Sequence, residues 1–419
     1  MLTPTSPAVA PSLEASSAAV NPVVTGSAQV VRTSATGNLP PSSPSSAEVT
    51  VVRRACALPP EPVKFIAPPA VPKVITGRVG LFVGRLTRGQ DAFRFDRATW
   101  LNPQSQFPLA SNYKTSVLYE LMRAVDSGDV KLTERFNVTK ANQSYGRYPY
   151  DNSDVMTLAN AMIAWSDNTA TDILHRRVEL DGLQGTARDL RLCNTRLLLP
   201  TKTWWTAQAG LGGADFPKYG LVSATRKFAA YPFDAQVKIA SRLDVAAQRV
   251  NAEDMRRSLD FGYFAGRNGG VEAMSLIDRN LQNASTPAEW ARYLQHAFVG
   301  ADLSDAGYQR FRDVMNKGKG KGYLRVPFKT YGGKSGNTAR VLTYSGFLET
   351  LSGDRVIYVY MNDSSQNLIT RDETPQAFML INAALKSVMR PEDLVRPKPT
   401  KKPAPVTAAT GAKKTSSPR

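Results

Sequence analysis

The chain has 419 residues, 42% hydrophobic and 9% aromatic, enough apolar material for a sizeable core in one large domain or two to three average ones. Its net charge of +18 favours polyanionic partners such as nucleic acid, anionic lipid or acidic wall polymers, without choosing among them. Two histidines, His175 and His296, make no compact zinc pattern; no apolar run reaches membrane-span length; and the Gly-Lys repeat from Lys317 to Gly322 lacks the frame of a phosphate-binding loop, so no metal or cofactor is expected.

Residues 1–72 are rich in Ser, Pro, Ala, Thr and Val, with runs such as Pro40-Pro41-Ser42-Ser43-Pro44 and no helix or strand period. Such a segment buries too little apolar surface to offset its ordering entropy, so it reads as a disordered arm. Met1-Leu2-Thr3-Pro4 has neither a basic n-region nor an apolar h-region, and no export signal is read there. The folded part is expected over 73–389.

Val74 to Leu86 is β-rich, and Ala92-Phe93-Arg94-Phe95 alternates with period two after a short turn, which predicts a hairpin. Ser111 follows a loop containing Pro103 and Pro108. From Tyr113 to Val125, the residues Val117, Leu118, Leu121, Met122 and Val125 recur at helical spacing, with Gly128 placed to cap the helix. Further helices are expected near Met156–Trp165 and Thr169–Val178. Another starts at the capping box Thr286-Pro287-Ala288-Glu289. Phe328–Lys334, Val341–Thr350 and Arg355–Asn362 read as strands, and a helix over about 374–389 closes the domain. This order predicts an α/β (α+β) fold: one antiparallel sheet with a helical block, about 111–300, inserted between its parts. Residues 390–419 carry eight basic residues against Glu392 and Asp393 and read as a flexible basic tail. The tail lacks interleaved aromatics, which argues against nucleic acid. Cys56 and Cys193 allow one disulfide, which nothing in the sequence demands.

Three short elements carry chemistry. Ser111-Asn112-Tyr113-Lys114 opens a helix. A serine hydroxyl is a poor nucleophile until a base takes its proton. Lys114 lies one turn on, facing the same side. Desolvation near other cations would lower its pKa enough to serve as that base. Ser166-Asp167-Asn168 falls between two helices, and Lys334-Ser335-Gly336 falls at a strand end. Alone, Ser-x-x-Lys is expected about once by chance in such a chain, Ser-Asp-Asn is more often a helix N-cap, and Lys-Ser-Gly is more often a strand-end turn. Together, each occurs once, in this order, on the secondary structure its role needs.

Ser-x-x-Lys, Ser-Asp-Asn and Lys-[Ser/Thr]-Gly in this order resemble the signature of class A β-lactamases and penicillin-binding proteins. The flanking Val125-Asp126-Ser127-Gly128-Asp129-Val130-Lys131-Leu132 and Thr286-Pro287 resemble the same family, and the resemblance covers about 74–389. It implies a β-lactamase/transpeptidase-like fold, with an antiparallel five-stranded sheet, flanking helices and an inserted helical domain. It also implies an acyl-enzyme on Ser111. Lys114 would shuttle its proton, and Ser166 would relay one to the leaving nitrogen. Asn168 would hold the substrate's side-chain amide. Lys334 and Ser335 would meet its carboxylate. The backbone N–H of Ser111 and of a residue just after Gly336, Asn337 or Thr338, would form the oxyanion hole. Arg340 would be a second carboxylate ligand or simply a solvated strand-start arginine. The substrate would be a β-lactam or a D-Ala-D-Ala-type peptidoglycan peptide, met in the periplasm or outside the cell.

The sequence departs from that pattern in one place. Class A β-lactamases carry an Ω-loop Glu that activates the deacylating water, soon after a Thr-Arg-Leu stretch. Here Thr195-Arg196-Leu197 runs into Leu198-Leu199-Pro200-Thr201, and no Glu occurs between Leu180 and Ala252. Residues from Trp204 to about Gly270 read as an insertion. Acylation machinery is complete on paper and the usual deacylation machinery is not. Three further readings therefore stand beside β-lactam hydrolysis. They are a DD-carboxypeptidase of the penicillin-binding kind, a generic esterase on this fold, and a wall-binding protein with a vestigial site whose basic tail holds anionic polymer.

Overall fold

A computed structural model describes Cys56 and residues 64–88, 93–146, 149–259, 270–300, 302–366 and 370–395, all within one unit, Arg54–Arg419. Its centre is a six-stranded sheet built from β1 (Lys64–Phe65), β2 (Arg78–Arg88), β3 (Phe93–Leu101), β4 (Thr330–Asn337), β5 (Leu342–Glu349) and β6 (Arg355–Asp363). The spatial order is β1-β3-β2-β6-β5-β4. The hairpin β2–β3 and the meander β4–β5–β6 join through β2 and β6, which pair antiparallel from Arg78↔Asp363 to Leu86↔Arg355.

The expected five strands are present, and a sixth corrects the count. Lys64 and Phe65 pair parallel with Arg97 and Ala98. Phe65 packs its ring against Trp100, with centroids 4.5 Å apart. Two residues are too short to show a period, so this edge strand is hidden in a Pro-rich stretch assigned to the arm. Cys56 is also anchored, by a disulfide to Cys193. Residues 66–72 of the expected arm also belong to the fold, with Ile66 and Val71 packed against the core under the closing helix, Thr374–Val388, while 1–55 and 57–63 lie outside the described residues. At the other end, Pro391–Leu394 forms a short 3-10 turn. Buried Asp393 accepts from Ser352 N at 2.7 Å and Ser352 Oγ at 2.8 Å. The fold therefore runs past 389, and the tail from 396 lies outside the described residues.

The strands bury both faces. Along β2, Leu81 and Val83 face one side and Phe82 and Leu86 the other; along β6, Val356, Tyr358 and Tyr360 oppose Ile357, Val359 and Met361. Alternation of period two thus feeds two cores from one strand. One core lies under helix α12 (Thr374–Val388), through Phe378, Ile381 and Leu385. The other lies under the helical block, through Trp290, Leu294, Leu118 and Leu121.

That block comprises α1 (Lys114–Asp126), α2 (Val155–Asn160), α3 (Asn168–Arg177), α4 (Leu180–Asp189), α5 (Thr201–Gln208), α6 (Leu221–Ala230), α7 (Phe233–Arg249), α8 (Ala252–Leu259), α9 (Gly270–Leu281), α10 (Pro287–Val299) and α11 (Asp305–Met315). Over its described residues, 204–259, the stretch read as an insertion is mainly helical, and it builds a third core of Trp204, Phe216, Leu243 and Met255 with α9 residues such as Ile277. Thr286 caps α10 by accepting from Glu289 N at 3.2 Å. Glu289 does not close the expected box. Its carboxylate accepts from Asn194 N at 3.0 Å and Thr195 Oγ1 at 2.7 Å, fixing the corner next to the disulfide.

Candidate active site

The three motifs meet where the helical block abuts β4. Ser111 sits in a 3-10 turn, Ala110–Tyr113, that leads directly into α1. Ala110 just before it has φ 44, a left-handed backbone that costs a non-glycine residue energy and points to a constrained turn. The turn is tied down from several directions. Thr343 Oγ1 donates to Leu109 O at 3.0 Å, and Leu109 N donates to Asn283 O at 2.8 Å. Trp290 Nε1 donates to Ser345 Oγ at 3.1 Å, which donates in turn to Asn112 Oδ1 at 3.1 Å.

Lys114 is fully buried on the first turn of α1. Its amino group donates to Ser166 O and Asn168 Oδ1, each at 2.7 Å, and to Ser166 Oγ at 3.3 Å. Burial lowers its pKa to about 7, against the opposing pull of Asp172 and Asp167. Among the described residues the Lys114 amino group forms no hydrogen bond with the Ser111 hydroxyl.

Ser166 follows α2 through a π turn, Ala161–Trp165, and takes a left-handed conformation, φ 59. Single π turns recur at functional sites because they reaim one side chain. Asp167 caps α3 by accepting from Ala170 N at 2.7 Å. Asn168 opens α3 and spends its amide on Tyr145 O at 2.7 Å.

Lys334-Ser335-Gly336 lies inside β4, not at its end, because pairing continues through Lys334↔Ser345, Ser335↔Tyr344, Gly336↔Thr343 and Asn337↔Leu342. Lys334 is buried and donates to Ser166 Oγ at 3.0 Å and Ser335 O at 2.6 Å. Its pKa is pushed well down by burial, and further by Lys114 and Lys319. Gly336 allows β4 to press on the turn that carries Ser111. A Cβ there would stand 2.6 Å from Ser111 N and 2.8 Å from Leu109 O. Ser335 and Asn337 line a cleft of about 1580 Å³ together with Ser166, Trp165, Tyr150 and Thr374. Arg340 lies in the β4–β5 turn with Nη1 3.4 Å from Glu272 Oε1, and like Ser111, Lys114, Asn168 and Lys334 it is not among the residues lining that cleft.

Sequence reasoning missed the cleft's other wall. Trp165 and Tyr150 stand exposed at its lip, at 73% and 90%. The segment Lys317–Gly322 lines it too, although the repeat matches no phosphate-binding frame. The only local signal was the strict alternation of Gly and Lys.

The stretch after Thr195-Arg196-Leu197 passes straight into α5. The side chain it sets beside Asn168 is Thr201, whose Oγ1 donates to Asn168 O at 3.1 Å and Asp172 Oδ1 at 2.6 Å. Asp172 also accepts from Thr201 N at 2.6 Å and Lys202 N at 2.7 Å. The two acids that act on Lys114, Asp167 and Asp172, are therefore both engaged in holding backbone.

An antiparallel-centred sheet with an inserted helical block, and a serine, two buried lysines and a second serine at their seam, defines the class of β-lactamase/transpeptidase-like serine hydrolase folds. The sequence model of the beta-lactamase enzyme family matches residues 75–386. The chain belongs to that family. Among solved structures it is similar to a variant of the last common ancestor of Gram-negative bacteria class A β-lactamase, at 17% identity and TM-score 0.48 over 74% of this chain and 94% of the other. A β-lactamase from Xanthomonas campestris pv. campestris gives 14% identity and TM-score 0.48 over 74% and 93%. PBP-A gives 18% and 0.46 over 75% and 92%. No curated protein matches the sequence.

Proposed function

We propose that this protein is a serine hydrolase that forms an acyl-enzyme on Ser111 with a β-lactam or a related D-Ala-D-Ala-type amide. The observation that carries the reading is the Lys114 amino group: buried, with a pKa near 7, and one turn from Ser111. A neutral amine there can take the hydroxyl proton as Oγ bonds to the carbonyl carbon. As the C–N bond breaks, the proton passes through Ser166 to the leaving nitrogen. Lys334 and Ser335 hold the substrate carboxylate, Asn168 and the β4 edge orient the acyl side, and the N–H groups of Ser111 and Asn337 receive the oxyanion. Water then cleaves the ester. The disulfide between Cys56 and Cys193 supports an oxidising compartment such as the periplasm or cell exterior.

A second reading, a DD-carboxypeptidase of the penicillin-binding kind, draws on Thr201. A hydroxyl stands where the Thr-Arg-Leu stretch brings the chain against Asn168, and a hydroxyl is no base for water. Such a site acylates well and releases its ester slowly.

Both readings are tested by mixing the protein with a penicillin and following intact mass beside a Ser111→Ala control. A Ser111-dependent adduct lasting many minutes supports slow release and the peptidase reading. Drug loss without a lasting adduct supports a working β-lactamase. Absence of both adduct and drug loss rejects acyl transfer on these substrates.

A further inference from the structure

The cleft beyond Lys334 is walled by Lys317-Gly318-Lys319-Gly320-Lys321-Gly322, the connection between α11 and β4. All three lysines are exposed. A run of exposed lysines is usually a solvated surface, but this one is built into place. A Cβ on Gly318 would overlap the carbonyl oxygen of Gly333, the residue before Lys334. Gly320 has φ +113, and a Cβ there would meet the Phe378 ring at 2.9 Å. Tyr331 Oη donates to Lys319 O at 2.7 Å. The glycines let the loop lie against β4 while every second residue along the cleft wall is an exposed lysine.

The lining carries three cations, Lys317, Lys319 and Lys321, against two acids, Asp372 and Asp167, the latter occupied in capping α3. Lys317 Nζ reaches Asn160 Oδ1 at 2.8 Å and Lys321 Nζ reaches Asn316 Oδ1 at 3.0 Å, both neutral amides. Lys319 forms no side-chain hydrogen bond or ion pair among the described residues. Neither do Lys114 and Lys334 form an ion pair among them. One substrate carboxylate at Lys334 would leave the cleft with an excess of positive charge along the loop.

We propose that the Lys317–Lys321 loop is a second anion subsite, selecting substrates whose leaving group carries another negative charge besides the carboxylate at Lys334. This rests on the acyl-transfer reading above and names its substrate class. The subsite lies on the Lys334–Ser335 side of the cleft, which is the leaving-group side. A dianionic leaving group therefore gains attraction from both lysine sets, and the gain should weaken with salt because the loop is exposed.

The test uses two thiolesters with one acyl group, one releasing thioglycolate (one carboxylate) and the other mercaptosuccinate (two). In each, Ser111 Oγ bonds to the carbonyl carbon, the C–S bond breaks and the thiol leaves with the relayed proton. At low ionic strength kcat/KM should favour the mercaptosuccinate ester by about tenfold. The preference should shrink in high salt, fall to near one in Lys317→Ala/Lys319→Ala/Lys321→Ala, and invert in Lys319→Glu. A ratio near one in the unaltered protein, or a preference that survives both variants, overturns the proposal. Binding of malate and glycolate to Ser111→Ala, followed by calorimetry, separates this inference from the chemistry beneath it. If neither thiolester reacts, acyl transfer fails on its own. The subsite then stands if malate binds more tightly and the lysine variants abolish the difference, and it falls if the two acids bind alike.

Discussion

Lys114 on α1 and Lys334 on β4 both donate to the oxygen of one hydroxyl, Ser166 Oγ, at 3.3 and 3.0 Å. Two amines that would repel one another are held around a shared neutral acceptor, and burial keeps both pKa values low. In the proposed reaction Ser166 would pass the proton from Lys114 to the leaving nitrogen. Ser166→Ala should slow acylation of Ser111 by about 10²- to 10⁴-fold, the usual worth of a positioned proton carrier. Stopped-flow acylation with a chromogenic β-lactam measures it, and an unchanged rate would remove Ser166 from the relay.

The pH dependence follows from Lys114. A base works only when unprotonated, so the acylation rate should rise through about pH 7 and level off above it. Lys114→Arg should abolish that rise together with most of the rate.

The same shift enters stability. The unfolded chain's lysine titrates near 10.4, whereas folded Lys114 titrates at about 7. Between those values the unfolded chain holds the proton and the folded one does not, so stability rises with pH across that window and the cost is greatest at and below about pH 7. Lys114→Met should therefore be more favourable, relative to the unaltered protein, at pH 7 than at pH 9.5. Urea unfolding at the two pH values decides it, and an equal difference at both would mean the amine is not buried as described.

Gly336→Ala places a methyl 2.6 Å from Ser111 N, 2.7 Å from Thr343 Oγ1 and 2.8 Å from Leu109 O. Two of these are backbone atoms that cannot rotate away, so β4 must part from the Ser111 turn. Acylation should drop by about 10²-fold or more, as for loss of an oxyanion donor, with the far-ultraviolet circular dichroism preserved.

The Cys56–Cys193 bridge closes 137 residues. Constraining a loop of that length stabilises by about 4 to 5 kcal/mol in the chain-entropy account, less any structure the reduced chain retains. Reduction, or Cys193→Ser, should lower the melting temperature by several degrees. An unchanged melting temperature would show that the bridge adds nothing to the fold.

The motifs were legible because each needs a fixed local frame: a helical turn between Ser111 and Lys114, a cap at Asp167, a strand at Lys334. Long periodic elements such as α1, α10, α12 and the meander were legible for the same reason. What escaped depends on distant partners. Lys64 and Phe65 become a strand only because β3 offers an edge, and Asp393 is held only because the β5–β6 turn offers Ser352. Glu289 satisfied a capping pattern on paper but is claimed by Asn194 and Thr195, 95 and 94 residues away. The lysine loop gave no helix or strand period, and its place against β4 depends on Gly333, which no local pattern connects to Gly318.

The seam of the sheet also sets the order in which the molecule can be made. Arg78 and Asp363 bind each other across a separation of 285 residues. Strand β2 emerges early with both faces apolar and must wait for β6 before either is fully covered. The helices between them can acquire local structure meanwhile, but the hairpin offers an open backbone edge until the final strand arrives. Pairing at such range makes folding slow and leaves the incomplete chain prone to self-association. A nascent copy of this protein therefore calls for chaperone cover, or for delivery as an unfolded thread to the place where it folds.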